Sequence, residues 1–174
     1  LAAGTVSGES GNGTLTSIEN VTGSNSADDI SGDANANVLK GNNGDDMLRG
    51  AAGADTLDGG NGVDTASYAG AAVGVHAYLA TPASNTGDAA GDTYIAIENL
   101  LGSAFADLLT GDANVNALNG GAGNDTINGG DGNDTLDGGA GADKLTGAAG
   151  VDTASYADAA AGVTANLFDR TLNS

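Results

Sequence analysis

A period of nine residues constrains this chain more than any other feature of its sequence. Five consecutive blocks of nine fill residues 23–67, and six more fill residues 102–155, each beginning with Gly. The sixth position is Asp in nine of the eleven blocks and Asn in the other two. The eighth position is Ile or Leu in nine blocks and Ala in the last block of each tract. Self-similarity at a fixed period indicates an architecture built by stacking repeats.

A second, longer period encloses the first. The tripeptide Ile-Glu-Asn occurs at residues 18–20 and again at 97–99. The pentapeptide Asp-Thr-Ala-Ser-Tyr occurs at 64–68 and again at 152–156. The pentapeptide spacing exceeds the tripeptide spacing by nine, so the second copy has gained one block. We interpret the chain as a window on a longer array of such super-repeats.

The repeats divide the chain into five predicted segments. Two tracts carry the nine-residue blocks, and three linker or capping segments flank and separate them. The middle linker loses the nine-residue period and alternates apolar residues at Val73, Val75, Ala77 and Leu79, which is typical of a β-strand. The segments, in chain order, are 1–22, 23–67, 68–101, 102–155 and 156–174.

The block pattern predicts an all-β fold, a parallel β-roll (a two-sheet β-solenoid). Gly recurs too often for helices, and one inward apolar residue in every block suits a short strand followed by a turn. Two blocks, each a strand and a turn, then make one full coil. Stacked coils form two parallel sheets over a thin core that includes Ile30, Leu39, Leu48 and Leu57. Gly permits the left-handed backbone that tight turns need.

The number of blocks predicts where the chain leaves each tract. Five blocks make two and a half coils, whereas six make three. We therefore expect the chain to leave the two tracts from opposite sides of the roll, relative to where it entered each of them. Exits on the same side would contradict the two-block coil for at least one tract.

The apolar content of the chain is too low for a conventional core. Leu, Ile, Val and Phe together account for 31 of the 174 residues, and the net charge is −19 because 23 acidic residues face only 4 basic ones. A composition of this kind is typical of chains that stay disordered on their own. A folded roll therefore needs a source of stability besides the burial of side chains.

The same composition excludes several classes of function. Four basic residues cannot form a patch for nucleic acid, and no apolar run is long enough to insert into a membrane. Without Cys there are no disulfides, no thiolate chemistry and no Cys-ligated zinc. Because His76 is the sole histidine and no acid–base pair recurs, we predict that the chain is not an enzyme.

The acids at position six indicate what stabilises the fold. Blocks two apart lie on the same side of the roll, so Asp46 is expected to stack on Asp64, and Asp125 on Asp143. Parallel strands are about 4.8 Å apart and calcium–oxygen distances are about 2.3–2.6 Å, so one Ca²⁺ fits between two stacked turns. Carbonyl oxygens of the turns would complete its shell. Without the ion, the carboxylates in each column would repel one another.

The blocks resemble the G-G-x-G-x-D-x-U-x repeat of the RTX, or haemolysin-type calcium-binding, proteins. Blocks 120–128 and 129–137 fit every specified position. The resemblance implies a parallel β-roll, export by a type I secretion system, and folding outside the cell when calcium is met. It also implies that the position-six acids bind Ca²⁺ together with turn carbonyls. The predicted ligands are Asp28, Asp46, Asp55, Asp64, Asp107, Asp125, Asp134, Asp143 and Asp152, with carbonyls near Gly44, Gly53, Gly121, Gly123, Gly130, Gly132, Gly139 and Gly141.

Pairing each block with the block two further on gives about seven candidate sites, three in the first tract and four in the second. Seven divalent ions would carry 14 positive charges against the net charge of −19. Sites that use Asn37 or Asn116 are expected to be weaker or empty. The strongest sites are expected where two Asp residues pair and both blocks keep the fourth Gly: Asp46–Asp64, Asp125–Asp143 and Asp134–Asp152.

Two functions stay open at this point. We favour a calcium-binding structural repeat module of a secreted or cell-surface bacterial protein, such as an adhesin, a surface filament or a surface layer. The alternative is a non-catalytic accessory module of a toxin or of a secreted enzyme, for example a protease, a lipase or a polysaccharide epimerase. Besides calcium ions, the candidate partners are other copies of the chain and a surface polysaccharide.

Overall fold

The computed structural model describes residues 4–6, 13–15, 17–159 and 162. These residues form an all-β solenoid of about eight turns with parallel strands, which confirms the predicted fold class. Two 3₁₀ helices, Pro82–Ser84 and Gly87–Ala89, are short, and the described residues contain no helix long and apolar enough to cross a membrane. The strands are β1 (Gly4–Val6), β2 (Gly13–Leu15), β3 (Asn20–Thr22), β4 (Asp29–Ser31), β5 (Val38–Asn43), β6 (Met47–Arg49), β7 (Thr56–Asn61), β8 (Thr65–Ser67), β9 (His76–Tyr78), β10 (Thr93–Ile95), β11 (Asn99–Leu101), β12 (Leu108–Thr110), β13 (Ala117–Asn119), β14 (Thr126–Asp131), β15 (Thr135–Asp137), β16 (Lys144–Ala149) and β17 (Thr153–Ser155).

Parallel sheets form the two walls of the solenoid. One wall is a seven-stranded sheet, the long sheet, with the order β4-β6-β8-β11-β13-β15-β17. The other wall consists of two four-stranded sheets, the first short sheet (β3-β5-β7-β10) and the second short sheet (β9-β12-β14-β16). Within each tract, consecutive strands alternate between the two walls. Strands β1 and β2 form a separate antiparallel pair.

The register of the sheets confirms the two-block coil. Leu39 pairs with Leu57 in the first short sheet, and Leu118 pairs with Leu136 in the long sheet, the partners being two blocks apart in both cases. The position-eight side chains point between the walls, where Leu39, Leu48 and Leu57 are fully buried. Most coils thus contribute one buried apolar side chain from each wall, and the core is as thin as the sequence predicts; in the last coil Leu145 is half-buried and Ala154 is exposed.

The middle segment continues the roll between the two tracts. Strand β10 pairs with β7, and β11 lies between β8 and β13, so the long sheet runs without a break from one tract into the other. Strand β9 pairs instead with β12 of the second tract. The two 3₁₀ helices lie between β9 and β10 in the chain, where the opposite wall divides into its two short sheets.

The predicted strand in the middle segment is shorter than its apolar alternation. Only His76–Tyr78 form β9; Val75 and Ala77 are buried, whereas Val73 is exposed. Most of the predicted segment 156–174 lies outside the described residues, whereas more than half of segment 1–22 is described and includes β1, β2 and β3.

The sheet in which each tract ends corrects one expectation about where the chain leaves the roll. The first tract begins with β4 and ends with β8, both in the long sheet, whereas the second begins with β12 in a short sheet and ends with β17 in the long sheet. Relative to its entry, the chain leaves the second tract on the opposite wall and the first on the same wall, as six and five blocks require. Both tracts nevertheless exit from the long sheet. The expectation that a shared exit side contradicts the two-block coil is therefore wrong, because the middle segment delivers the chain to the second tract on the other wall.

Candidate metal centres

The position-six side chains stack in two columns, one preceding the strands of the long sheet and the other preceding those of the short sheets. In both columns the backbone N–H of a position-six residue donates a hydrogen bond to Oδ1 of the acid two blocks later. The N–O distance is 2.8 Å from Asp46 to Asp64 and 2.9 Å from Asp125 to Asp143. The Asp pairs joined in this way are Asp28–Asp46, Asp46–Asp64, Asp107–Asp125, Asp125–Asp143 and Asp134–Asp152.

In five of the position-six acids the second carboxylate oxygen, Oδ2, accepts no hydrogen bond. It is buried and without a hydrogen bond, in residues that are at most 2% exposed. A buried polar atom without a partner costs about 1–3 kcal/mol, and more when it is charged. A cation bound at Oδ2 would satisfy the atom, so these residues fit the metal that the block pattern predicts. The five residues are Asp46, Asp55, Asp64, Asp125 and Asp134.

Main-chain oxygens converge on the same places. A Cβ atom added to Gly41 would overlap Asp46 Oδ2 and would lie 2.6 Å from the carbonyl oxygen of Gly59 in the next coil. An added Cβ at Gly120 would overlap Asp125 Oδ2 in the same way. Because position one has no side chain, a carboxylate oxygen and a carbonyl oxygen approach one space from two coils. Such hard oxygen ligands are the ones that Ca²⁺ prefers.

The turns that contain an unpartnered Oδ2 share a left-handed backbone at positions two and four. In block 120–128 these positions are Gly121, with φ 93°, and Gly123, with φ 134°. Other residue types are strained in this conformation, which explains the fourth Gly of the pattern. A positive φ occurs at all eight glycines near which carbonyl ligands are predicted: Gly44, Gly53, Gly121, Gly123, Gly130, Gly132, Gly139 and Gly141.

The first two blocks of each tract close their turns differently. The backbone N–H at position two donates to the position-six side chain of its own block: the nitrogen of Ser24 is 2.5 Å from Asp28 Oδ2, and that of Ser103 is 2.6 Å from Asp107 Oδ2. The serine hydroxyls donate to the same carboxylates. We call these self-closed turns. They distinguish Asp28 and Asp107 from the five acids with an unpartnered oxygen.

Asn37 and Asn116 belong to self-closed turns as well. Their Oδ1 atoms accept hydrogen bonds from the backbone N–H groups of Asp33 and Asp112, at 2.7 and 2.9 Å. All four self-closed turns lack the fourth Gly, the residue by which the sequence analysis selected the strongest candidate sites. The residues that replace it are Ser26, Asn35, Phe105 and Asn114.

Two acids of the middle segment extend the columns, and sequence reasoning missed both. The backbone nitrogen of Asp55 is 2.9 Å from Asp92 Oδ1, and that of Asp64 is 2.8 Å from Glu98 Oε2. The spacing between Asp92 and Glu98 is shorter than one block, so the nine-residue period did not reveal them. The recurring Ile-Glu-Asn tripeptide of the longer period was the one available signal. Asp92 Oδ2 in turn accepts a hydrogen bond from the hydroxyl of Tyr68.

Burial opposes the ionisation of several column acids. It raises the pKa of Asp55 to about 7, and the adjacent carboxylate of Asp92 adds to the rise. Burial likewise raises the pKa values of Asp64, Asp125 and Asp134, with further contributions from neighbouring acids. The metal-free fold therefore carries carboxylates that hold their protons at higher pH than they would in the unfolded chain.

These pKa shifts predict how the metal-free chain responds to acid. Because the pKa is higher in the folded state than its unfolded value of about 3.9, protonation stabilises the metal-free fold. That stabilisation is fully present below about pH 4 and is lost as the pH rises through about 7. We expect calcium-depleted protein to gain β-structure by circular dichroism when the pH falls from about 7.5 to about 5.

The same shifts predict proton release when calcium binds near neutral pH, and weaker calcium binding as the pH falls. Asp55→Asn, which cannot titrate, serves as the control and should show a smaller response. A calcium affinity that stayed constant between about pH 5.5 and about pH 7.5 would contradict this interpretation.

Basic side chains neutralise little of the negative charge. Within the described part of the chain two ion pairs form, Lys40 with Asp58 at 2.7 Å and Arg49 with Asp29. Among the same residues, no three His, Asp or Glu side chains come together as a metal cluster. Each centre thus has at most a pair of stacked carboxylates, and turn carbonyls would have to supply the other ligands.

Comparison with known proteins bears on the identity of these repeats. The family described as RTX calcium-binding nonapeptide repeat matches the chain in four copies, at residues 22–57, 31–66, 95–127 and 119–154. A comparison with curated proteins gave no match. The four copies cover more than half of the chain and coincide with the coils that contain the carboxylate columns. The chain belongs to the RTX calcium-binding nonapeptide-repeat family.

Proposed function

We propose that this chain is a structural module that binds Ca²⁺ between its stacked turns and folds when it does so. The observation that supports this most directly is the set of buried Oδ2 atoms that have no hydrogen-bond partner. Each lies in a turn whose glycines admit carbonyl oxygens from the neighbouring coil. Ca²⁺ takes six to eight oxygen ligands and tolerates irregular geometry, which suits a site assembled from two turns.

We assign the ions to the turns that keep the fourth Gly. We add Asp143 and Asp152 to the proposed ligands beside the five acids that have a buried unpartnered oxygen. Both accept the same kind of backbone hydrogen bond, at the ends of their columns. Asp28 and Asp107 we assign to closing their own turns. The tracts 23–67 and 102–155 are thus the ion-binding segments, and residues 68–101 connect them.

The parent protein is, in this proposal, secreted or attached to the bacterial cell surface. Export of an unfolded chain requires that folding wait for the extracellular medium, and a fold that needs millimolar calcium meets that requirement. The super-repeat favours an adhesin, a filament or a surface layer, in which other copies or a surface polysaccharide would be the partners. The alternative is a non-catalytic accessory module of a secreted enzyme or toxin; either way we propose that this segment catalyses no reaction.

A matched pair of variants tests the assignment of the ions. Asp125→Asn removes a carboxylate whose Oδ2 is buried and unpartnered, so we expect at least one fewer Ca²⁺ per chain and a calcium midpoint for folding raised roughly tenfold. Asp107→Asn changes the neighbouring acid of the same column, whose turn is self-closed. We expect it to keep the wild-type ion count, because Asn116 already occupies an equivalent turn.

Native mass spectrometry in calcium gives the number of ions, and circular dichroism gives the midpoint. Equal losses in the two variants would show that the self-closed turns bind calcium as well. An unchanged count in Asp125→Asn would refute the assignment of ions to the unpartnered oxygens.

A further inference from the structure

We infer that a calcium site lies at the junction of the two tracts, between the turn that ends at Asp64 and the short turn formed by residues 96–98. Its ligands are Asp64 Oδ2, the Glu98 carboxylate and the carbonyl oxygen of Ala96. The inference rests on the proposed function only in taking the same ion. It adds a site that no pair of nine-residue blocks provides.

The unpartnered oxygen of Asp64 points into this junction. Asp64 is fully buried and its Oδ2 has no hydrogen bond. A Cβ added to Gly59 would overlap both Asp64 Oδ2 and the carbonyl oxygen of Ala96. A Cβ added to Gly41 would likewise meet Oδ2 of the acid in its own block and a carbonyl oxygen of the next coil. The junction therefore repeats the oxygen arrangement of a repeat turn, with Ala96 in the place of the next block's first Gly.

A contracted turn supplies the second carboxylate. Six residues lie between Asp58 and Thr65, whereas only residues 96–98 lie between their partners Ile95 and Asn99 in the next coil. Glu98 stands at the end of this turn and accepts a hydrogen bond from the backbone nitrogen of Asp64 at 2.8 Å, as a position-six Asp does. Glutamate has one more methylene group than aspartate, and the added reach suits a turn that is half as long.

One residue of the contracted turn shares the left-handed backbone of the turns that contain an unpartnered Oδ2. Ala96 has a φ of 46°, in the left-handed region that few residues other than Gly adopt. In the repeat turns that conformation accompanies carbonyl oxygens packed against the neighbouring coil. Its retention at an alanine indicates that the surrounding structure holds the backbone there against its own preference.

A polar cavity of about 160 Å³ adjoins the junction. Its lining includes Ala96, Glu98, Asp112, Asn114 and Asn116. A space of this size holds several water molecules, and these could complete the shell of an ion held by two carboxylates and one carbonyl.

The position of the site gives it a distinct role. A candidate ion between two nine-residue blocks joins two turns of one tract, whereas this one joins the last turn of the first tract to the segment that leads into the second. Binding there would fix the middle segment on β8 and make the two tracts one cooperative unit. The site is thus a calcium-dependent connection between the tracts.

The test compares Glu98→Gln with Glu19→Gln by native mass spectrometry of the full chain in calcium. Gln keeps an oxygen to accept the Asp64 N–H, so the fold is retained while the charge is lost. Glu19 is the matching residue of the other Ile-Glu-Asn tripeptide and is exposed. We expect one fewer Ca²⁺ in Glu98→Gln and the wild-type number in Glu19→Gln. Anomalous diffraction from wild-type crystals grown in calcium should place an ion between Asp64 and Glu98.

The outcomes separate this inference from the proposed function. Wild-type protein that binds no calcium would refute both. Calcium-loaded wild type and Glu98→Gln with equal ion numbers would refute the junction site alone, as would crystals with ions in the repeat turns and none between Asp64 and Glu98.

Discussion

Removing calcium is expected to unfold both tracts. In excess EGTA the far-ultraviolet circular dichroism spectrum should be that of a largely disordered chain, and it should become β-rich when millimolar calcium is restored. This is the largest effect that we expect from any single change to the protein, because it concerns every coil at once. In such a chain the free energy of metal binding drives folding, because the metal sites are not preformed in the unfolded chain.

The physical reason is that the core cannot stabilise the fold alone. Ordering the backbone costs about 1–2 kcal/mol per residue, while each coil buries only two position-eight side chains. Position eight is only an alanine in the last block of each tract, and of these Ala66 is buried whereas Ala154 is exposed. Folding also buries five carboxylate oxygens without partners. The metal-free roll therefore has a thin apolar core and an added cost along both columns.

Magnesium at equal ionic strength is the control for this experiment. It demands octahedral geometry and keeps several of its waters, so it should restore much less structure than calcium does. A fully β-structured spectrum after rigorous chelation would contradict coupled folding. The self-closed turns could retain local structure, but they account for only four of the eleven blocks.

Local periodicity explains why much of the fold could be predicted from sequence. The burial of Leu39 and Leu57 and their pairing across two blocks follow from a nine-residue period alone. The stacking of Asp46 on Asp64 follows from the same arithmetic. These features need only the repeat and the geometry of parallel strands. Each block specifies them again, so a few substitutions do not obscure the pattern.

The features that were missed depend on contacts that no period specifies. His76 pairs with Leu108, at a separation that is not a multiple of nine, because the middle segment places β9 against the second tract. Glu98 enters a carboxylate column through residues 96–98, which lie opposite the six residues 59–64 of the preceding coil. The closure of the turn at Asp28 depends on a backbone N–H of Ser24, a donor that nearly every residue type carries, so only the missing fourth Gly marks this turn in the sequence.

Deleting one whole block is expected to preserve the roll while moving every later strand to the opposite wall. Without residues 129–137, β16 follows β14 after a single turn and must occupy the long sheet beside β13. Strand β17 then moves to the short sheet beside β14. Leu145 still points inward because nine residues have been removed, so the calcium response should persist with fewer ions.

Removing residues 129–133 instead is expected to disrupt the roll. Asp134 would then be the single residue between two strands, and even the contracted turn at residues 96–98 has three residues. The coils beyond β14 should therefore be lost.

Engineered cysteines report which wall each strand occupies, since the natural chain has no Cys. In the intact chain Thr126 pairs with Lys144, and Thr153 pairs with Thr135. Neighbouring parallel strands are about 4.8 Å apart, within the Cα separation of about 4.4–6.8 Å that a disulfide bridges. Thr126→Cys with Lys144→Cys should therefore cross-link in the intact chain but not after the nine-residue deletion.

Thr126→Cys with Thr153→Cys should show the reverse, because the deletion brings Thr153 to within two blocks of Thr126. Mass spectrometry after mild oxidation in calcium distinguishes the two patterns. If the pair at 126 and 144 still cross-linked in the shortened chain, strand placement would follow from the identity of each block rather than from counting blocks along the chain. The register of the solenoid would then reside in side-chain contacts, and the one-block difference between the tripeptide and pentapeptide spacings would need another explanation.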